Sequence, residues 1–339
     1  MQKYTDLQSN HITGLDKIFE ISWGFASTSI LITSFELNLF DIIEDGIDNN
    51  EDISKYLQCD FQGLSSLLNA LTGIGLLEKQ AEKYTLPIIF KPYLLSNSPY
   101  FVGHIWKVHK KLNWDIWSKL TDSIKTGKPV IPLFSANGED LWTVVIPYLN
   151  SIAINASKEI SNYLKSRQIH GEAMLLDIGC GSGIYSQTIV QNCPHIKAIG
   201  IDQENVLKLA RKQTKQLGLA DRIDYIEDDI FKFDYQTEYF DIVLVSNILH
   251  GYNETDNLLL LNKIFNSLKP NGLLIINDFI INKNNKILLP LLLSLQFHLT
   301  GNGKSFELEE LKQLMLSSGF QIHDYQDIPG PFSMLVCNK

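Results

Sequence analysis

From Gly171 onward, short apolar runs alternate with amphipathic stretches, and no other feature of the chain restricts its fold so sharply. Residues 173–178, 197–201, 223–227, 240–246 and 273–278 read as strands. Residues 185–191, 204–217, 258–268 and 307–318 read as helices, with further strand material after the last of them. Strands separated by helices require crossover connections, and these lay helices on both faces of a mainly parallel sheet. The expected class is therefore α/β with a Rossmann-like sheet.

The run Leu-Leu-Asp-Ile-Gly-Cys-Gly-Ser-Gly (175–183) closes the first strand and opens the first helix. Gly179 and Gly181, with Cys180 between them, let the backbone turn sharply and approach a ligand closely, and Gly183 allows tight helix packing. The helix that follows offers free N–H groups to an acceptor. Nicotinamide enzymes use a related glycine turn, but here Asp177 precedes the glycines. A carboxylate there would repel a pyrophosphate and could meet an ammonium group. Asp202, followed by Gln203, ends the second strand, where a carboxylate suits a ribose diol. Asp228-Asp229-Ile230-Phe231 follows the third strand and could accept from an adenine amino group while covering its ring. Ser246 and Asn247, at the end of the fourth strand, complete the expected cofactor set. No His or further carboxylate completes an obvious ligand set around the paired aspartates, so no metal site is expected.

The N-terminal part has a different rhythm. Residues 14–23 and 26–40 read as helices, the second apolar around nearly its whole circumference and so expected in a core or at a subunit interface. A turn-rich stretch follows at 41–50, then helices at 51–57 and 62–72, then two short strands within 76–86. Helix, helix and hairpin in that order form a winged-helix pattern, whose common use is DNA reading. The second helix holds no Lys or Arg, and the chain carries a formal net charge of −9. Both argue against nucleic acid and for packing or dimerisation.

Residues 99–165 read as a helical, aromatic-rich linker broken by a loop at 127–140. Trp106, Trp142, Asn155 and His298 are its and its neighbours' candidates for contact with an apolar substrate. His104 and His109 are five residues apart, which does not place them on one helical face. The apolar run 287–299 is shorter than the ~20 residues a bilayer needs and reads as a core or lid helix. The N-terminal residues are polar, and Cys59, Cys180, Cys193 and Cys337 are scattered, so a cytoplasmic protein without membrane segments is expected.

The glycine turn, Asp202 and Asp228-Asp229 together resemble the class I S-adenosylmethionine (SAM) dependent methyltransferases. FDIVLVSNILHGYN (240–253) followed by LNKIFNSLKPNGLLIINDFI (261–280) is similar to the small-molecule O-methyltransferase family of caffeate and hydroxyindole enzymes and their bacterial secondary-metabolite relatives. The resemblance implies SAM as cofactor, a seven-stranded sheet with an antiparallel last strand, and a homodimer formed through the N-terminal domain. It implies a dimerisation domain at 1–98, a linker contributing to the substrate pocket at 99–168 and a SAM domain at 169–339. It implies His250 as general base, with Asp278 as its supporting carboxylate, acting on a hydroxyl of an aromatic or conjugated small molecule. The chain departs from the plant-type pattern at Gly251, Tyr252 and Ser305, the last standing where a second supporting Glu is found. Transfer to carbon or nitrogen by proximity alone, and a SAM-binding regulator without chemistry, remain as alternatives.

Overall fold

The computed structural model describes residues 14–131, 139–167, 171–282 and 288–339. The polar N-terminal stretch, residues 132–138 of the expected loop, the boundary expected at 168 and the first residue of the apolar run lie outside the described residues. The chain divides into two compact units, the first ending at Trp106 and the second beginning at Lys107.

The first unit holds helices Gly14–Ser22, Gly24–Glu36, Leu39–Glu44, Asn50–Leu57 and Phe61–Gly73, then a hairpin of β1 (Glu78–Gln80) and β2 (Lys83–Thr85). The helix expected over 26–40 ends early, because Asn38 takes φ 51° and breaks the chain direction. Asn enters the left-handed region more easily than other side-chain-bearing residues. Part of the stretch expected to be turns is instead the helix Leu39–Glu44, which buries Leu39, Phe40, Ile42 and Ile43. Leu64, Leu68 and Leu71, spaced for one helical face, bury against Ile53 and Tyr84. Asp60 starts their helix by accepting from Gly63 N at 2.6 Å, and Asn49 starts the preceding one by accepting from Asp52 N at 2.9 Å. Helix Gly14–Ser22 buries nothing. Its Leu15, Ile18, Phe19 and Ile21 are each more than half exposed, and only the second half of Gly24–Glu36 reaches the core.

The second unit is built on seven strands: β3 (Ala173–Ile178), β4 (Ile196–Asp202), β5 (Ile223–Glu227), β6 (Phe240–Ser246), β7 (Leu268–Asp278), β8 (Gln321–Asp327) and β9 (Ser333–Asn338). Their spatial order is β5-β4-β3-β6-β7-β9-β8. β3 to β7 are mutually parallel, and β9 runs antiparallel to both its neighbours, β7 and β8. β7 begins five residues earlier than expected, at Leu268, because Leu268 pairs with Phe240 before the register shifts.

Strand parity sorts the two faces. Leu175, Ile242, Leu244 and Ile275 point to a face covered by helices Glu139–Ser166 and Ile184–Asn192. Leu176, Val243, Val245 and Ile276 point to the face covered by Glu254–Ser267 and Leu308–Ser317. The apolar run forms the helix Leu288–Thr300. Among the described residues no single helix is long and apolar enough to cross a membrane, no group of side chains is arranged to hold a metal ion, and the four cysteines are free. The sheet winds outward in both directions from β3, and a ligand in such a sheet binds beyond the strand C-termini at that reversal.

Candidate active site

A cleft of about 720 Å³ opens at those strand ends. Its floor is the loop between β3 and helix Ile184–Asn192. Gly179 takes φ 63°, and a Cβ there would lie 2.2 Å from Ile248 Cδ1, so the turn leaves no room for a side chain. Gly183 starts the helix at φ 77°, a conformation L-residues rarely adopt. Asp202, at the end of β4, grips the loop: its Oδ2 accepts from Gly181 N and its Oδ1 from Gln203 N, both at 2.8 Å. Burial pushes the Asp202 carboxyl up, and these two N–H groups oppose the shift.

After β5, Asp228 and Asp229 order their own turn by accepting from Asp229 N at 2.7 Å and Phe231 N at 2.9 Å. Phe231 meets Tyr252 edge to face, with centroids 5.0 Å apart. Both rings line the cleft, as do Ile230, Ser246 and Asn247. The far wall comes from the long helix through Trp142, Ile146, Leu149 and Asn150, and Asn150 Oδ1 accepts from the Ser182 hydroxyl. Two acceptors on the lining, Gln203 Oε1 and Asn247 Oδ1, are buried with no hydrogen-bond partner among the described residues. Buried acceptors of that kind call for a ligand rich in donors.

Not every expected residue reaches this cleft. Asp177 is 1% exposed and lies beneath the loop, accepting from the Ser186 hydroxyl; burial pushes its carboxyl up to about 6. Its parity on β3 turns it toward helix Ile184–Asn192 rather than into the opening. Gly183 is likewise beneath the lining. Trp106 packs against the core of the first unit. Asn155 lies beyond the lining stretch of its helix, five positions after Asn150. His298 faces the Ser123 carbonyl, 3.4 Å from Nε2. Conversely, Asn150, Tyr185 and Lys232 line the cleft without having been singled out from the sequence, as does Tyr252, noted there only as a departure from the plant-type pattern. Tyr252 had one available signal, its place two residues after His250. Asn150 had none, because it reaches the site through helix packing alone.

His250 and Asp278 come together at the end of β7. His250 Nδ1 and Asp278 Oδ1 are 2.6 Å apart, and the same oxygen accepts from Phe279 N at 2.8 Å. Both residues are buried, and His250 does not line the cleft. Phe297 lies flat on the imidazole, with centroids 3.7 Å apart and planes 7° apart. Behind the ring, a Cβ on Gly303 would fall 1.8 Å from the His250 carbonyl oxygen, so the chain there packs directly onto the turn that carries the histidine. Asp278 Oδ2 is buried with no hydrogen-bond partner among the described residues. Ser305 is buried too, and its hydroxyl has none either.

Two family models match the chain: an O-methyltransferase domain over residues 117–321 and an O-methyltransferase dimerisation domain over residues 19–87. The SAM-dependent methyl transferase PigF of a Serratia species is 23% identical, with 93% of each chain covered. The 3-hydroxy-5-methyl-1-naphthoate 3-O-methyltransferase of Streptomyces sahachiroi is 24% identical over 77% of this chain and 76% of its own. The crystal structure of human N-acetylserotonin methyltransferase in complex with SAM superposes with a TM-score of 0.83 at 20% identity, covering 98% of this chain and 99% of that one.

Proposed function

The chain belongs to the O-methyltransferase family, and on that premise we propose that it moves a methyl group from SAM to a hydroxyl of an aromatic or conjugated small molecule of secondary metabolism. The observation that carries this reading is the buried His250–Asp278 pair, two residues beyond Ile248 on the cleft wall. The naphthoate enzyme and the N-acetylserotonin enzyme are relatives named for aromatic acceptors.

The cleft fits SAM on its own chemistry. Asp202 offers a carboxylate for a ribose diol, Phe231 and Tyr252 offer faces for a purine, and Gln203 Oε1 and Asn247 Oδ1 offer the unmatched acceptors that an amino group satisfies. The bound cofactor supplies a methyl group on a positively charged sulfur. Gly179, Gly181, Asp202, Asp229 and Phe231 would hold it, and Trp142 would close over the opening from the linker helix. The reading of the glycine turn also offered Asp177 and Gly183 for this set. Here Asp177 acts on the loop from below through Ser186, and Gly183 only shapes the turn.

His250 has one task, to take the hydroxyl proton as the acceptor oxygen becomes a nucleophile. With Nδ1 donating to Asp278, a neutral imidazole carries its lone pair on Nε2. Asp278 then holds the tautomer and stabilises the imidazolium that forms, while Phe297 keeps the ring plane fixed. Most of the rate in such a transfer comes from in-line positioning.

One observation favours a second reading. His250 is 5% exposed and outside the cleft lining, which suits transfer to carbon or nitrogen by positioning alone. Purified protein incubated with methyl-labelled SAM and a panel of phenols, hydroxylated polyketides, carotenoid alcohols and indoles separates the two. Label on oxygen, lost in the His250→Ala protein, is the expected result. Label on carbon or nitrogen, kept in the His250→Ala protein, overturns the base assignment.

The working unit is proposed as a cytoplasmic homodimer. The apolar stripe Leu15, Ile18, Phe19 and Ile21 gives a second copy a surface to cover, and the dimerisation match begins within it. The division proposed is 1–98 for pairing, 99–168 for the acceptor side and 169–339 for SAM.

A further inference from the structure

Tyr225 stands on β5 and does not line the cleft, yet two glycines, Gly200 of β4 and Gly183 of the loop, make room for it. A Cβ on Gly200 would lie 2.8 Å from the Tyr225 ring, and a Cβ on Gly183 would lie 2.2 Å from its hydroxyl oxygen. The ring thus crosses the face of β4 and ends directly under the glycine loop. There its hydroxyl shares a hydrogen bond of 2.7 Å with Thr214 Oγ1, and Gln187 Nε2 reaches the same oxygen at 3.4 Å. Gln187 Nε2 also donates to Thr214 Oγ1 and to the Ser182 carbonyl, both at 3.0 Å. The Gln187 backbone N–H donates to the Gly183 carbonyl at 2.8 Å. Cys180, Leu207 and Ala210 pack around the ring. The loop is therefore held from three sides: by Asp202 at Gly181, by Asn150 at Ser182 Oγ, and from beneath by the Tyr225–Thr214–Gln187 cluster.

We propose that Tyr225 is a positioning residue for cofactor binding: its hydroxyl, through Gln187 and Thr214, presets the 179–183 loop in the shape that receives SAM. The residue never touches the cofactor. It lowers the cost of ordering the loop, so its effect falls on affinity and not on the transfer step. Burial pushes the hydroxyl up to about 12, so it stays protonated throughout the working range. This inference rests on the reading of the cleft as a SAM site.

The test is Tyr225→Phe, which keeps the ring that fills the space between Gly183 and Gly200 and removes only the hydroxyl. Binding of S-adenosylhomocysteine, the demethylated cofactor, is measured by calorimetry, alongside the KM for SAM, the kcat and the melting temperature. The expected result is an affinity about three- to tenfold weaker, matching the loss of one buried hydrogen bond. The KM for SAM rises in step, while kcat and the acceptor KM stay unchanged. Thr214→Val shows a similar loss, and the double variant loses less than the sum, because both act in one network. A Tyr225→Phe protein that melts lower but binds S-adenosylhomocysteine within twofold of the original overturns the proposal and leaves Tyr225 as packing. A kcat loss without an affinity loss overturns it as well. If the unaltered protein fails to bind S-adenosylhomocysteine at all, the SAM reading of the cleft fails and this inference with it.

Discussion

The cleft and the His250 corner sit two residues apart along the chain, at Ile248 and His250, but they are built in opposite ways. The cleft is open and made from strand ends: backbone N–H groups, carboxylates already gripped by them, and acceptors with nothing yet to accept from. The corner is closed. Its histidine is fixed at Nδ1 by Asp278, on its face by Phe297 and along its backbone by Gly303. A binding region can be assembled from main chain and needs space; a proton-transfer group needs a single ring orientation and gains from exclusion of water. The two regions should therefore fail differently when altered.

The strongest way to break that contrast is His250→Ala. Turnover should fall about a hundred- to ten-thousandfold, the usual worth of a positioned base. S-adenosylhomocysteine affinity by calorimetry should stay within twofold, since the ring lies outside the cleft. Near-full turnover would remove the base from the corner and leave positioning alone.

Asp202→Asn attacks the other region. Affinity for S-adenosylhomocysteine should drop about ten- to a hundredfold, the range for hydrogen bonds to a charged group, while kcat at saturating cofactor changes little. A loss confined to kcat would mean that the cleft and the corner are not separable.

Asp177 gives the mildest and most specific test, because it shapes the cleft from below without facing it. Its carboxyl sits at about 6 in the folded chain, above the ordinary carboxylate value near 3.8. Folding therefore favours the protonated form: the stability it contributes is full below about pH 4 and is lost as pH rises to about 6. Asp177→Asn cannot lose that contribution. The melting temperature of the unaltered protein should fall behind that of the variant between pH 4 and 6 and hold a constant gap above. Parallel curves across that range would show that burial does not keep the group protonated.

Much of the cleft was legible in the sequence because it depends on contiguous motifs. The 175–183 run, Asp202 and 228–231 each sit where one strand ends, and a strand end brings a short stretch to the same rim. Asp177 shows the limit of that logic. Residue type suggested an ammonium partner, but side-chain parity on β3 decides which way it points, and that parity follows from Leu175 and Ile178 facing opposite cores. Asn150 and Trp142 enter from a helix, so nothing local marked Asn150. His298 and Asn155 fall outside the cleft lining for the same reason reversed: an apolar neighbourhood does not say which face of a helix meets the opening. In the first unit, the break at Asn38 was hidden by an unbroken apolar run, since hydrophobicity reports burial and not chain direction.

The strand order carries its own history. β8 pairs with β9 alone, so its place in the sheet depends on β9 pairing with β7. That meeting brings Asp278 beside Ser333, 55 positions apart in the sequence. Closing so long a loop is slow compared with the local crossovers that bring β3, β4 and β5 together. The edge beyond Asp278 therefore depends on a contact far longer in sequence than those that set the glycine loop against β4 and β5.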